Sequence, residues 1–267
     1  MENDIVTGYR EWFSGYCRSF TAETDEDRQN YLLKEGHTYA VCDNALLIAR
    51  GLALDERETE LAAAIGLFHD VGRFPQYRDY RTFRDSISKN HAVLSAKVLL
   101  EKRALQGLPK RDRDLIVHAV TLHNVFSLPA CLPERTLLHS RIIRDADKLD
   151  IWRVFIEILA LPEAERPSAA GLGLPETKGY SSEILPVLKQ RRMVRLIQLR
   201  TLNDFKLLQL AWIYDLNFLP TLRLVRDRDI ISRLAATLPR TDDVLHAVDA
   251  VRCYVDEKLS GRGTGVR

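Results

Sequence analysis

The sequence has few residues that interrupt helices and no long apolar segment. Of its 267 residues, 13 are glycine and 10 are proline, which favours long helices over the frequent tight turns of a β-protein. The richest apolar run, residues 61–68, is eight residues long, whereas a membrane-spanning helix needs about 20. The first residues, MENDIVTGYREW, carry acidic side chains and no apolar core of a secretory signal. We therefore expect a cytoplasmic protein without a membrane span.

Neither sign of charge dominates, and the cysteines follow no metal-binding spacing. The 39 basic and 37 acidic residues are interspersed and leave a net charge of +2, whereas nucleic-acid-binding proteins usually carry a stronger basic field. The four cysteines lack the CxxC spacing of zinc ribbons and the pattern of a disulfide framework. The composition therefore predicts no nucleic-acid partner and no membrane partner. The composition does not decide the oligomeric state, and a homo-oligomer stays among the alternatives.

Apolar residues recur at helical spacing along almost the whole chain. The pattern predicts helices over 3–20, 27–53, 55–70, 91–102, 112–126, 134–161, 182–200 and 201–218, with shorter helices up to residue 259. Asp55 and Glu58 form a capping-box-like start, and Gly72 with Pro75 is expected to end that helix. Residues 161–181 are rich in glycine and proline and predict a loop, either an exposed connector or a cover over a site. Because no segment alternates like a strand, the predicted fold class is all-α, an irregular helical bundle.

Two predicted helices carry ionisable side chains on apolar faces. His69 and Asp70 end a helix whose preceding turns are apolar, and Asp147 shares an apolar stripe with Ile143 and Ile151. Burying such groups is costly unless they are paired or bind a metal. Ion pairs with nearby arginines and lysines are the alternative interpretation. The sequence thus marks these three side chains as candidate metal ligands.

The order of these residues resembles the HD-domain superfamily of metal-dependent phosphohydrolases. The segment TLNDFKLLQLAWIYDLNF (201–218) looks like the C-terminal helices of its uncharacterised bacterial members. The matching segments are EGHTYAV (35–41), GLFHDVGRF (66–74) and RDADKLD (144–150). The segments KNHAVLSAKVL (89–99) and IVHAVTLHN (116–124) are similar to those of members that bind two metals. The resemblance implies a helical bundle of the HD-domain type with extra N- and C-terminal helices. Its parts are a packing helix within 1–29, a metal-binding core over 30–160, the loop 161–181, and helices over 182–267 that pack on the core.

The resemblance also implies the metal ligands. One ion would be held by His37, His69, Asp70 and Asp147, and a second by Asp70, His91 and His123. Imidazole and carboxylate donors together suit Mn, Fe, Co, Ni or Zn, so the expected cofactor is one or two divalent transition-metal ions. Of two histidines on one helix, His123 lies on the buried face and His118 on a mixed face. The ligand role is therefore assigned to His123.

Three residues are predicted to act on the substrate. A divalent metal lowers the pKa of bound water and polarises a phosphoryl group. Asp70 is assigned a catalytic role because it can bind one such ion or bridge two. Arg73 takes the position where related proteins carry a basic residue near the phosphate, so it is assigned to catalysis and substrate binding. Lys148 is also predicted to bind substrate. A surface ion pair is the alternative for Arg73, and a structural role is the alternative for Lys148.

The expected function is hydrolysis of a phosphoester of a nucleotide or another small phosphorylated metabolite by a metal-activated water. The segment NVFSLP (124–129) lacks the GYP signature of the cyclic di-GMP hydrolases. No Glu-Asp pair closely follows HDVGRF, as it does in the guanosine-tetraphosphate hydrolases. Neither substrate is therefore carried over. Two alternatives stay open: a di-iron oxygenase of the HD fold, and a regulatory module that keeps the fold without catalysis.

Overall fold

Helices make up most of the protein. The computed structural model describes residues 4–162, 165–166 and 173–261. It is 69% helical, and these residues contain no strand. The predicted all-α fold class is therefore confirmed. Within the same ranges, no helix combines the length and the apolar composition that crossing a bilayer requires.

The chain divides into two compact units, Met1–Asp150 and Ile151–Arg267. The first unit contains α1 (Asp4–Arg18), α2 (Asp25–Gly51), α3 (Glu56–Phe68), α4 (Arg73–Tyr80), α5 (His91–Glu101), α6 (Lys110–Leu122) and most of α7 (Glu134–Leu159). The second unit contains the last residues of α7, then α8 (Ile184–Lys189), α9 (Leu202–Ala211), α10 (Leu219–Asp227), α11 (Ile230–Ala235) and α12 (Asp242–Leu259).

The start of α3 follows the prediction, but one of its two capping residues has another role. Asp55 accepts a hydrogen bond from the backbone N–H of Glu58 at 2.8 Å, as a helix cap does. The Glu58 carboxylate does not complete a capping box. It accepts hydrogen bonds from Arg135 (2.9 Å) and lies 2.7 Å from His139 Nε2, so it ties α3 to α7.

Helices α2 and α3 touch backbone to backbone at Gly66. A Cβ atom built on Gly66 would lie 2.9 Å from the Cα of Cys42 and 3.2 Å from the carbonyl oxygen of Val41. Residues 61–70 are all buried. This close approach therefore holds the end of α3, and His69 with it, against the middle of α2.

Replacing Gly66 with Ala should destabilise the protein by about 1–3 kcal/mol, because the added methyl group forces the two helices apart. The matched control is Gly8→Ala in α1, where a Cβ would meet nothing within 4 Å. That change should stabilise the protein by about 0.5–1 kcal/mol, because alanine favours the helix. Urea denaturation followed by far-UV circular dichroism measures both. A Gly66→Ala variant as stable as the wild type would contradict the close approach.

The segment after His69 differs from its prediction. The sequence predicts a helix end at Gly72 and Pro75, yet α4 starts at Arg73 and holds Pro75 in its first turn. Proline is tolerated there, because the first N–H groups of a helix have no helical partner. Gly72 packs on the start of α5: its N–H donates to Ser95 Oγ at 2.8 Å, and a Cβ would lie 2.5 Å from the His91 carbonyl oxygen. This contact holds the first turn of α5 against the start of α4.

Helix α1 covers the end of α3 with aromatic rings. Tyr9 and Trp12 meet the ring of Phe68 edge-on, with centroids 5.1 and 5.5 Å away. The hydroxyl of Tyr16 donates to the carbonyl oxygen of Val71 at 3.0 Å. Aromatic pairs contribute about 0.5–1.5 kcal/mol each beyond the area they bury. Helix α1 is therefore part of the core of the first unit.

The helices of the second unit are shorter than the sequence predicts. Of residues 182–200, only Ile184–Lys189 is α-helical, and a 3₁₀ turn covers Leu196–Gln198. Arg191 follows α8 with a φ of 56°, a left-handed conformation that ends helices. The predicted helix over 201–218 ends as an α-helix at Ala211 and continues as a 3₁₀ turn. The predictions of single helices over 182–200 and 201–218 are therefore wrong.

The predicted loop 161–181 is described in part, because residues 163–164 and 167–172 lie outside the described residues. Residues 173–181 are not helical. They are bound to α9, since the Ser181 N–H donates to the Asp204 carboxylate at 2.6 Å. Asn203 Nδ2 also donates to the carbonyl oxygens of Thr177 and Gly179.

Candidate metal centre

Six ionisable side chains of the first unit come together, most of them from helix ends. His91 is the first residue of α5, and His37 lies inside α2. His69 and His123 directly follow the last residues of α3 and α6. One aspartate follows α3 and the other lies in α7. We call them the His–Asp cluster: His37, His69, Asp70, His91, His123 and Asp147. All are buried except Asp147, which is partly exposed.

The first half of the cluster joins α2, α3 and α7. Asp147 Oδ1 lies 3.1 Å from His37 Nε2 and 3.7 Å from His69 Nε2. Asp70 Oδ2 lies 3.8 Å from each of the same two nitrogen atoms. Ligands of a tetrahedral metal site are about 3.4 Å apart when each metal–ligand distance is about 2.1 Å. The spacing of these donors is therefore that of a metal site.

The second half shares Asp70 with the first. Asp70 Oδ1 lies 3.5 Å from His91 Nε2 and 4.0 Å from His123 Nε2. Asp70 thus turns one carboxylate oxygen towards each half, which is the arrangement of a carboxylate that can bridge two metals. His123 also groups with His69 and Asp147, so its Nε2 is within reach of both halves.

Each histidine is held through Nδ1 by an acceptor outside the cluster. The acceptors are Asp150 for His37 (2.7 Å), the Gly66 carbonyl for His69 (2.7 Å), Asp85 for His91 (2.6 Å) and the Val120 carbonyl for His123 (2.7 Å). A carbonyl oxygen only accepts, so His69 and His123 carry a proton on Nδ1 and direct the opposite nitrogen into the cluster. Metal-binding histidines are oriented in the same way.

Burial keeps two of the histidines neutral. Burial, reinforced by His91 and His69, lowers the pKa of His123 to about 3. Burial and Arg73 also lower the pKa of His91, against the opposing effect of Asp85. The Nε2 atoms of His91 and His123 therefore face each other as lone pairs, only 2.9 Å apart. Two lone pairs at that distance repel each other unless a cation lies against them, and the Arg73 guanidinium, with Nη2 3.3 Å from His91 Nε2, is one such cation.

His37 behaves differently from these two rings. Burial would lower its pKa, but the hydrogen bonds with Asp147 and Asp150 outweigh burial and raise the pKa to about 9. The imidazole therefore holds a proton between Nε2 and Asp147 at neutral pH. A metal ion that binds this nitrogen must displace that proton, so metal binding at His37 is coupled to proton release.

The residues present fit a divalent transition metal. His69 Nε2 is buried and makes no hydrogen bond with any described residue. A buried polar atom in this state is costly unless it has a partner. Three overlapping groups of cluster residues have ligand atoms within 4.8 Å of one another, and their mixture of imidazole and carboxylate suits Mn, Fe, Co, Ni or Zn.

Two cations flank Asp70. Lys34 Nζ lies 2.9 Å from its Oδ2, and Arg73 Nε lies 3.3 Å from its Oδ1. Burial would raise the pKa of Asp70, but Lys34 and then Arg73 hold it well below the usual range. Both cations also lie over the ring of Phe83, at 5.3 and 5.9 Å from its centroid. Two cationic side chains therefore lie on this side of the cluster, each paired with Asp70.

The whole cluster falls inside one known domain. Residues 35–152 match the family model of the HD domain. The chain contains an HD domain. HD domains bind divalent metals and define a superfamily of metal-dependent phosphohydrolases. No curated protein and no solved structure matches the chain.

Arg73 lies next to Asp70 in the HD domain, but most of its donors are already engaged. Its Nη1 donates to the Phe83 carbonyl oxygen at 2.6 Å and to Asp85 at 3.1 Å. Its Nη2 lies 3.3 Å from His91 Nε2. These contacts orient Asp70, Asp85 and His91. The predicted contact of Arg73 with substrate stays a prediction.

The other predicted residues of the HD domain are placed as follows. Lys148 is buried, and its Nζ lies 3.5 Å from the carbonyl oxygen of Arg144; its substrate contact also stays a prediction. His123 is in the cluster, whereas His118 is exposed on α6. Arg144 donates to the carbonyl oxygen of His123 at 3.3 Å, so α7 helps to fix the end of α6.

The sequence did not predict three residues that contact the cluster: Lys34, Asp85 and Asp150. Lys34 stands three residues before His37, and Asp150 stands three residues after Asp147. Residues three apart share a helix face, so this spacing could have indicated both. Asp85 lies in a 3₁₀ turn at Asp85–Ile87, and the sequence has no local signal for its contact with His91.

Replacing Asp150 with Asn should weaken metal binding by the HD domain by about tenfold. The amide oxygen still accepts from His37 Nδ1, but it no longer supplies the negative charge that makes His37 a stronger ligand. Calorimetric titration of the purified protein with Mn²⁺ or Zn²⁺ measures the affinity. The control is Asp249→Asn, which removes an exposed carboxylate 3.2 Å from Arg252. Equal affinities of the two variants would show that Asp150 does not act through His37.

Proposed function

We propose that the chain is a metal-dependent phosphohydrolase that acts in the cytoplasm on a nucleotide or another small phosphorylated metabolite. The observation that carries the proposal is the convergence of four imidazole nitrogens and two carboxylates, with Asp70 in contact with both halves. His37, His69, Asp70 and Asp147 would hold one ion, and Asp70, His91 and His123 a second. Such ions lower the pKa of bound water and withdraw charge from a phosphoryl group.

The surrounding residues supply orientation and positive charge. Asp150 and Asp85 hold the rings of His37 and His91 in place through Nδ1. Lys34 pairs with the Asp70 oxygen that faces the first half. With a divalent cation on that oxygen, Lys34 would be free to pair with a phosphoryl oxygen of the substrate, because like charges repel and the phosphoryl group carries the opposite charge.

An activity screen tests the proposal. Purified protein is reconstituted separately with Mn, Fe, Co, Ni and Zn and incubated with phosphomonoesters, phosphodiesters and nucleotides. Release of inorganic phosphate or of a nucleoside product is then measured. We expect turnover with at least one substrate and metal, and one or two bound ions per chain. Protein that binds none of these metals, or that binds them and hydrolyses none of these substrates, would overturn the proposal.

Once a substrate is found, replacing Lys34 with Gln should raise its KM by about tenfold or more, because a charged hydrogen bond to the phosphate is lost. Bound metal should stay unchanged, since Lys34 is not a ligand. Lys97→Gln is the matched control, because Lys97 is exposed and its nearest acid is Glu101, 3.6 Å away. A normal KM in the Lys34 variant would remove Lys34 from substrate binding.

Two other functions are less well supported. A di-iron oxygenase would use the same kinds of ligand, but the cations beside Asp70 favour an anionic substrate. Iron content and oxygen consumption after anaerobic purification distinguish the two enzymes. A module without catalysis would be expected to lack ligands, whereas all six side chains of the cluster are present.

A further inference from the structure

A cavity of about 530 Å³ lies between the end of α5 and the start of α6, open to solvent. It is formed by Leu99, Leu100, Arg103, Leu105, Gln106, Lys110, Arg113, Asp114, Val117 and His118. Its volume falls within the range of small-molecule sites, about 300–1,000 Å³. We call it the α5–α6 cavity.

Most of the wall of the α5–α6 cavity is apolar. Leu99 and Leu105 are buried behind it, and Val117 is half-buried. Leu100 is 64% exposed, although it lies in the last turn of a well-packed helix. An apolar molecule in the cavity would remove this surface from water, at about 25 cal/mol for each Å².

The rim of the cavity is positively charged. Three cations, Arg103, Lys110 and Arg113, face a single carboxylate, Asp114. Lys110 Nζ lies 2.6 Å from Asp114 and is neutralised by it. Arg113 donates one hydrogen bond to the Leu108 carbonyl at 3.2 Å. The guanidinium of Arg103 makes no hydrogen bond or ion pair with any of the described side chains, and it is exposed.

The start of α6 adds to this positive charge. Pro109 occupies the N-cap position and offers no side-chain hydrogen bond. The one acid of the first turn, Asp112, is fully buried and is bound by Arg57 and Arg135. Cations at the positive end of a helix are unfavourable, whereas an anion there is stabilised. The start of α6 therefore carries cations where helices usually carry acidic residues, and an anionic ligand would offset this excess of positive charge.

We propose that the α5–α6 cavity binds an amphipathic organic anion, a molecule with one anionic head and an apolar body. The head would pair with Arg103 and Arg113, and the body would lie on Leu99, Leu100 and Val117. The site is separate from the His–Asp cluster. Leu99 stands eight residues after His91 on α5, about 12 Å along the helix axis, so the proposal does not depend on the function of the cluster.

Calorimetric titration with sodium decanoate, at about physiological ionic strength, tests the proposal. Decanoate carries one carboxylate and an apolar chain, and acetate provides the head alone. We expect saturable decanoate binding at one site and none with acetate. Arg103→Gln should weaken the affinity for decanoate by about three- to tenfold through the loss of the charged contact. Leu100→Asn, in the apolar part of the wall, should weaken it by a similar factor through the loss of apolar area.

Two control variants make the result specific. Arg28→Gln changes the net charge as Arg103→Gln does, at an exposed position of α2 outside the cavity, and should leave the affinity unchanged. Asp70→Asn should also leave it unchanged. Absence of saturable binding would overturn the proposal. So would equal losses in the Arg28 and Arg103 variants, because the effect would then be one of general charge. Loss of binding in an Asp70→Asn protein that thermal unfolding shows to be folded would place decanoate at the His–Asp cluster and would overturn the proposal as well.

Discussion

Replacing Asp70 with Asn should lower the turnover of the proposed phosphohydrolase by about a thousandfold or more and leave the purified protein almost free of metal. Among the residues that the structure describes, Asp70 is the one whose two carboxylate oxygens together lie within 4.0 Å of all four cluster Nε2 atoms: 3.8 Å for His37 and His69, 3.5 Å for His91 and 4.0 Å for His123. The amide keeps the shape of the carboxylate but loses its charge and one of its two acceptor oxygens. Both proposed metal positions therefore lose a ligand at once.

The matched control is Asp79→Asn, which removes an exposed carboxylate that pairs with Arg78 at 2.6 Å on α4. Elemental analysis gives the metal content, and phosphate release gives the turnover. Thermal unfolding of each variant is needed as well, because Lys34 and Arg73 lose their shared partner in Asp70→Asn. An Asp70→Asn protein that is folded, fully metallated and active would contradict the proposed centre.

Replacing His91 with Ala should leave about one metal ion bound and reduce kcat by orders of magnitude, if two ions act together on the phosphoryl group. His91 belongs to one of the three candidate groups, the one that it forms with Asp70 and His123. His69 and His123 each belong to two groups. His69→Ala should therefore remove most of the metal, and His123→Ala should remove more metal than His91→Ala.

His118→Ala is the control for these histidine variants, because His118 stands on α6, five residues before His123, but is exposed. Metal stoichiometry and kcat are measured on all four variants under the same reconstitution conditions. If His91→Ala and His123→Ala keep full metal content and full activity, the centre holds a single ion. The two rings would then be packing residues next to it.

Most of the six side chains of the cluster are marked in the sequence by local patterns. His69, Asp70, His123 and Asp147 sit on apolar helix faces or ends, where an ionisable side chain is conspicuous. The resemblance to HD domains supplied the order in which they occur. The structure brings all six together, although their roles as ligands stay a prediction until metal is measured.

The parts that the sequence did not predict depend on contacts between distant segments. Asp85 reaches His91 because α4 and the turn after it fold back over the start of α5. No residue spacing in the sequence predicts this contact. Glu58 looks like half of a capping box, but Arg135 and His139 lie about 80 residues further along and compete for its carboxylate. In the second unit, Arg191 takes a left-handed conformation that arginine rarely adopts, so a continuous helix was the reasonable prediction.

The aromatic contacts of α1 limit where a recombinant fragment of the protein can begin. The family match begins at residue 35, which lies inside α2 and well after α1. A recombinant fragment that starts there would expose the ring of Phe68, which Tyr9 and Trp12 cover, one residue before His69. It would also lose the hydrogen bond from Tyr16 to the Val71 carbonyl, one residue after Asp70. A fragment intended to keep the His–Asp pair in position should therefore begin no later than Asp4.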